Sequence, residues 1–229
     1  LPLFHGVFLL CAHSKNRIFT MKYRTLVFDF DGTIADTLDE SLKIYNQMAE
    51  QHDLRPIDDD EIHHLRHMKL NDFLDHLGTP RLLVPKLLFR GTQMLKSRIG
   101  SLPLIEGIAE VLPLLKKRAI HLGILTSNSV ENAQLFLKTH GIDHLFSFVS
   151  STSKLTGKAK HLRSIQRKYE LNTGKMVYIG DELRDIKAAK KAGIPMAAVG
   201  WGFNSPKALA DSKPDYLFQH PSELIKLLS

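Results

Sequence analysis

The chain of 229 residues, 43% hydrophobic and 24% charged, is long enough for one core of ordinary size plus a smaller accessory unit, with the balance of a soluble globular protein. Its formal charge of +7 is spread along the chain without a basic block or an aromatic-interleaved stripe, which argues against nucleic acid and fits a small anionic substrate drawn to a cleft. The single cysteine, Cys11, excludes an intramolecular disulfide and a cysteine metal cluster and points to a reducing, cytoplasmic compartment.

In chain order, the first segment holds an apolar stretch at 7–10 with no basic stretch ahead of it and no clean small-residue cleavage site behind it. It falls short of the about 20 apolar residues that span a bilayer, so neither a signal sequence nor a membrane anchor is expected. Met21 stands directly before the first strand, and the natural chain is expected to begin there, with residues 1–20 an upstream extension. Intact peptides from that extension, found in protein purified from its source, would sink the idea. A buried parallel strand is expected at 26–28, an apolar run that stops at Asp29 and Asp31 and turns at Gly32. From Thr37 to about Gly100 the β-branched runs disappear. Leu38, Leu42, Tyr45, Met48 and Ala49 recur at helical spacing with Thr37 or Asp39 as a cap, and further helices are expected over 59–67, 70–77 and 80–98.

From Pro103 onward the rhythm alternates. Helices are expected over 107–118, 130–140, 158–169 and 183–192, and strands over 121–126, 146–150, 176–179 and 194–199. Such alternation predicts an α/β fold, a doubly wound parallel sheet covered by helices on both faces. Residues 21–36 and 101–229 form its core, and the helical stretch 37–100 interrupts the first crossover. Because ligands of open α/β sheets bind beyond the carboxyl ends of the strands, this insert is placed to close over the pocket as a lid. An independent helical module is disfavoured, since both its ends return to the same sheet.

Two ionised carboxylates one residue apart at a strand end repel unless a cation or a proton shares the space, so Asp29 and Asp31 ask for a metal. Alternate strand residues point the same way, which lets both face one pocket while Phe30 packs backward. A second group follows at Thr126, Ser127 and Asn128, where a hydroxyl and nearby backbone N–H groups can bind an anionic oxygen; taken alone, these residues equally suit a turn or a helix cap. A third is Lys158 at a helix start after Gly157, with Lys154 as the other candidate to neutralise a phosphate and hold a carboxylate. A fourth is the strand ending at Gly180, followed by Asp181 and Asp185, hard oxygen ligands suited to Mg²⁺. Singly, this acidic pair reads as well as a dipole-favoured helix start; beside Asp29 and Asp31 it reads as a metal site.

Taken together, Asp29-Phe30-Asp31-Gly32-Thr33, Thr126, Lys158 and Gly180-Asp181-Glu182-Leu183-Arg184-Asp185 resemble, in order and spacing, the four motifs of the haloacid dehalogenase superfamily, over roughly 23–229. Within it the chain is similar to the phosphoglycolate phosphatase-like branch, whose helical cap lies between the first two motifs. The resemblance implies Asp29 as nucleophile, Asp31 as general acid and then base, and Mg²⁺ held by Asp29, the backbone carbonyl of Asp31, and Asp181, with Asp185 nearby. Gly32, Thr33, Ser127 and Asn128 are expected to border the bound phosphate. Many relatives have Lys-Pro where this chain has Lys158-Ala159, which keeps Lys154 in consideration. Dehalogenases of the superfamily lack an acidic group at the position of Asp31, so its presence favours phosphoryl chemistry.

The expected activity is therefore Mg²⁺-dependent hydrolysis of a small, phosphoglycolate-like phosphomonoester through an aspartyl phosphate. Arg66, with His67 and Lys69, is the basic cluster of the insert most able to meet a substrate carboxylate or second phosphate, although a solvated helix face accounts for these residues equally well. His63, His64 and His67 lack an acidic partner in the sequence and are not read as a metal site. Trp201, in the loop after the last core strand, is read as packing beside the pocket. Two further readings stand: a phosphomutase of the same fold, and a regulatory protein on a dormant scaffold. A monomer or weak homodimer is expected.

Overall fold

The computed structural model describes residues 22–119, 121–152 and 157–229; the expectations for residues 1–20 and for Lys154 lie outside them. Its first strand, β1 (Thr25–Phe28), is buried along its whole length because neighbours flank it on both sides. It pairs in parallel with β2 (His121–Thr126) and with β4 (Met176–Gly180). Beyond β2 lies β3 (Phe148–Ser151), and beyond β4 lie β5 (Met196–Val199) and β6 (Tyr216–Phe218), giving the order β3-β2-β1-β4-β5-β6. The chain runs outward from β1 in one direction, then crosses back to β4 on the other side. The carboxyl ends of β1, β2 and β4 therefore flank the point where the winding reverses, the place where such sheets bind ligands.

The period of two in the strands sorts their side chains into two cores. Leu26, Phe28, Ile124, Val177 and Ile179 point to one face, packed with α5 (Ile108–Lys116), α6 (Val130–Thr139) and the 3₁₀ turns of Pro221–Leu228. Val27, Leu125, Tyr178 and Met196 point to the other, with α7 (Lys158–Lys168), α8 (Leu183–Ala192) and α9 (Pro206–Asp211). The doubly wound parallel sheet expected from the alternation is thus found, with β6 and α9 added beyond the expected elements.

Between β1 and α5 the chain is helical: α1 (Leu38–Gln51), α2 (Ile62–Leu65), α3 (Leu70–His76) and α4 (Val84–Lys96). Its two connections run side by side. Asp36 N–H donates to the Pro103 carbonyl at 2.9 Å and Ile105 N–H to the Ile34 carbonyl at 3.0 Å, around an antiparallel bridge between Ala35 and Leu104. Ile44, Met48, Leu87 and Leu95 join the main core, while Ile57, Leu65 and Leu77 form a small cluster of their own with Leu42, Tyr45 and Phe73. The expected helix over 59–67 is shorter than its pattern. Asp59–Glu61 form a 3₁₀ turn, tied by the Glu61 side chain to the Asp58 N–H at 3.0 Å, before α2 begins. The fourth helix starts at Val84 rather than 80, since the Leu83 N–H turns back to the Pro80 carbonyl.

Candidate active site

Asp29 follows the last residue of β1, and its N–H donates to the Ile179 carbonyl at 2.7 Å. That bond carries the ladder one residue past the strand and fixes the carboxyl among three strand ends, only 2% exposed. Oδ1 accepts from the Phe30 N–H at 2.9 Å. Oδ2 accepts from Lys158 Nζ at 2.6 Å, and the same ammonium lies 2.5 Å from Asp185 Oδ1. Lys158 is the first residue of α7, after Gly157 in a left-handed conformation, and Tyr178 closes the pair from below, with its ring 5.5 Å from the ammonium. Asp185 sits in the first turn of α8, where Oδ2 accepts from the Glu182 N–H at 3.1 Å.

Asp181, the residue after β4, is fully buried. Its Oδ1 accepts from the Thr33 hydroxyl at 2.7 Å and its Oδ2 from the Phe203 N–H at 2.8 Å. Two glycines let the chain close this tightly around a carboxylate. A Cβ on Gly32, which has φ of +73°, would lie 2.3 Å from Asp181 Oδ2, and one on Gly202 would lie 2.2 Å from the same atom. Asp29, Asp181 and Asp185 each offer an oxygen within 4.8 Å of the others.

Three buried carboxylates facing one ammonium leave an excess of negative charge, and the proton affinities record it. Burial pushes Asp29 up to about 7, with Lys158 opposing and Asp185 adding to the rise. Burial, then Glu182 and Asp29, hold Asp181 well above the usual carboxylate range. For Lys158 burial works against the charge, but Asp185 and Asp29 outweigh it and raise its affinity for the proton. Such a cluster is stabilised either by protons or by a divalent cation.

Asp31 lies just before the turn at Gly32, partly exposed. Its carboxylate accepts from Asn128 Nδ2 at 3.4 Å, and it lines a cavity with Ser127, Arg66 and Arg184. Asn128 is held by its own Oδ1, which accepts from the Ser129 N–H and from Asn132 Nδ2. Thr126 is buried at the end of β2, where its oxygen accepts from the Asn128 N–H at 2.8 Å, leaving the hydroxyl proton to donate. Ser127 Oγ accepts from Arg184 at 3.5 Å.

Two expected phosphate neighbours have other partners here: the Gly32 N–H is bonded to the Ala35 carbonyl, and the Thr33 hydroxyl to Asp181. Arg66 reaches the site from the helical segment, but its guanidinium donates to the carbonyls of Gly202 at 2.6 Å and Phe203 at 3.1 Å. Lys69 is exposed, and His67 Nδ1 bonds the His63 carbonyl. The residues that sequence reasoning missed lie on the loop after β5. Phe203 supplies a backbone donor to Asp181 and Asn204 ties the loop to the helical segment, while the two glycines at 200 and 202 were the visible signal of a close approach. Trp201 packs beside it and donates from Nε1 to the Thr33 carbonyl at 3.3 Å.

Residues 26–199 match the family model described as haloacid dehalogenase-like hydrolase. A phosphoglycolate phosphatase of Synechococcus elongatus is 32% identical over 90% of this chain and 97% of its own length. An N-acetylmuramic acid 6-phosphate phosphatase of Pseudomonas aeruginosa is 26% identical over 91% and 96% respectively. Among solved structures, a haloacid dehalogenase-like family hydrolase of Streptococcus pneumoniae superposes with a TM-score of 0.76 at 22% identity, covering 90% of this chain and 98% of that one. At that identity the likeness shows the fold.

Proposed function

The chain belongs to the haloacid dehalogenase-like hydrolase family, and from that premise we propose that it is a Mg²⁺-dependent phosphatase of small phosphomonoesters, acting through an aspartyl phosphate on Asp29. One observation carries the reading: the Asp29 carboxylate is buried and clamped at 2.6 Å by Lys158, with Asp181 and Asp185 within coordinating reach of the same point. The names of the similar phosphatases from Synechococcus and Pseudomonas support it.

The residues fit the metal. With Arg184 paired to Glu182, three buried carboxylates offset by the Lys158 ammonium match the charge of a divalent ion, and an all-oxygen donor set suits Mg²⁺. Asp29 and Asp181 would hold it together with the Asp31 backbone carbonyl, and Asp185 would support them. When bound, the ion neutralises charge on the phosphoryl oxygens.

The remaining steps belong to the chain. Lys158 holds Asp29 in position and, with the Thr126 hydroxyl, meets the phosphoryl charge. An Asp29 oxygen attacks phosphorus, and the bond from phosphorus to the ester oxygen breaks. The departing alkoxide takes a proton from Asp31, whose place beside the cavity lets it reach that oxygen. Asp31, now a carboxylate, takes a proton from the water that cleaves the acyl phosphate, which restores Asp29 and releases phosphate. The helical segment acts as the cap that shields these steps from solvent.

Release of phosphate from p-nitrophenyl phosphate tests the proposal. Turnover is expected only with a divalent cation, and Asp29→Asn is expected to abolish it along with the phosphorylated peptide carrying residue 29. Absence of turnover with every divalent metal would overturn the reading.

A further inference from the structure

A cavity of about 360 Å³ opens from the catalytic floor into the helical segment. That volume lies at the lower end of small-molecule pockets, about 300–1,000 Å³, whereas the interior of a helical unit is normally packed without voids. On the floor the lining includes Asp31 and Arg184; above it the walls are side chains such as Leu42 and Tyr45 of α1, Phe73 of α3 and Leu87 of α4. The one charged residue that the helical segment contributes is Arg66, and its guanidinium is bonded to the carbonyls of Gly202 and Phe203.

Resting on the phosphatase reading, we propose that the organic part of the preferred substrate fills this chamber and is uncharged and apolar, an alkyl or aryl group. Continuity commits the occupant. Asp31, the residue that protonates the leaving oxygen, lines the same cavity, so the group attached to that oxygen extends into it. An apolar wall gains from every methylene it takes out of water and penalises an unpaired carboxylate. Phosphoglycolate, with a two-carbon acid, does not fill the chamber, and the cation of its helical walls, Arg66, is turned to the carbonyls of Gly202 and Phe203. The class selected is therefore the phosphomonoester of an apolar alcohol.

The test is a homologous series. kcat/KM is measured for methyl, propyl and hexyl phosphate, for phenyl phosphate and for phosphoglycolate, and binding is measured by calorimetry for methylphosphonate and hexylphosphonate, whose P–C bond is not hydrolysed. A rise of up to about fourfold per enclosed methylene is expected, with hexyl phosphate exceeding phosphoglycolate and hexylphosphonate binding more tightly than methylphosphonate. Gly91 lines the chamber, and a Cβ there would touch Met48 at 3.4 Å and Ile44 at 3.7 Å, so the longer side chain of Gly91→Leu crowds the chamber and is expected to reduce the hexyl-to-methyl ratio about tenfold. Should that variant not fold, the wild-type series and the phosphonate pair decide alone. A flat series with equal phosphonate binding overturns the chamber while leaving the phosphatase intact. Tighter binding of hexylphosphonate with no turnover of any ester overturns the phosphatase reading and leaves the apolar chamber standing.

Discussion

Asn204 donates from Nδ2 to the backbone carbonyl of Arg66 at 3.0 Å, joining the loop after β5 to the helical segment 138 residues earlier in the chain. The same amide group reaches the Met68 carbonyl at 3.1 Å, and its Oδ1 accepts from the Leu183 N–H at 2.9 Å. Its backbone N–H meets the Asp181 carbonyl at 3.3 Å, and its neighbour Phe203 holds the Asp181 carboxylate. Arg66 returns the contact through the carbonyls of Gly202 and Phe203. One short loop therefore sets both the seat of the helical segment and the orientation of a buried carboxylate. Lifting the segment away requires breaking bonds to the residues that hold Asp181.

Asn204→Ala removes three side-chain hydrogen bonds at once and leaves two carbonyls and one N–H to find other partners. A loss of about 1–3 kcal/mol is expected, read as a lowered Tm. Because the altered loop supports Asp181, a proposed metal ligand, the Mg²⁺ concentration for half-maximal activity should rise roughly tenfold. An Asn204→Ala protein with the parental Tm and an unchanged Mg²⁺ titration contradicts the coupling.

Gly202→Ala adds one methyl group, 2.2 Å from Asp181 Oδ2, at a position with no positive φ to strain. The clash is therefore with the carboxylate itself. Asp181 must swing or the loop must retreat, and the Phe203 N–H bond at 2.8 Å goes with it. Activity is expected to drop at least about tenfold with a raised Mg²⁺ requirement, the size of effect seen when a ligand's support is lost, while far-UV circular dichroism stays that of the parent. Parental activity at limiting Mg²⁺ would remove the glycine from the account of the site.

What the sequence made legible follows from where charge is improbable. Asp29 and Asp181 stand at the ends of runs buried on both faces, and an apolar strand has no structural use for a carboxylate at its tip. Lys158 stood out by its place after a glycine, and the structure puts its ammonium between Asp29 and Asp185. Backbone donors carry no such mark, and the N–H of Phe203 is indistinguishable in sequence from any other. Asn204 reads as a loop residue until its partners in the helical segment are seen. β6 spans three residues, too few for alternation to register, and the 3₁₀ turn at Asp59–Glu61 arises from one side-chain bond inside a pattern that reads as continuous helix.

Lys158→Met replaces an ammonium that is 10% exposed with a side chain of similar length and no charge. Asp29 and Asp185 would then face each other without their shared cation. Removing one partner of a buried pair costs about 3–5 kcal/mol, so a large drop in Tm near neutral pH is expected, together with loss of phosphatase activity. Acid should soften the drop, because a protonated Asp29 no longer needs the lysine. A variant equal in stability to the parent at neutral pH would show that the pair contributes little.

The elevated proton affinity of Asp29 sets opposite pH dependences for the metal-free and metal-bound protein. Its carboxyl is pushed from 3.8 up to about 7, chiefly by burial. Between those values the folded chain holds a proton that the unfolded chain has released, so the stability of the metal-free protein falls as pH rises through that window and stays lowered above it. Under the proposed function Mg²⁺ reverses the sense, because it would bind the carboxylate and must displace that proton. Its apparent affinity is expected to weaken below pH 7 by up to about tenfold per pH unit for each proton displaced. Thermal melts with and without Mg²⁺ between about pH 5.5 and pH 8 read both effects: the metal-free Tm should decline with pH from this group while the gain conferred by Mg²⁺ grows. The Asp29→Asn protein lacks the titrating group and should show a flatter gain across the range. An Mg²⁺ gain independent of pH in the parent would remove the proton from its place as the competitor of the metal.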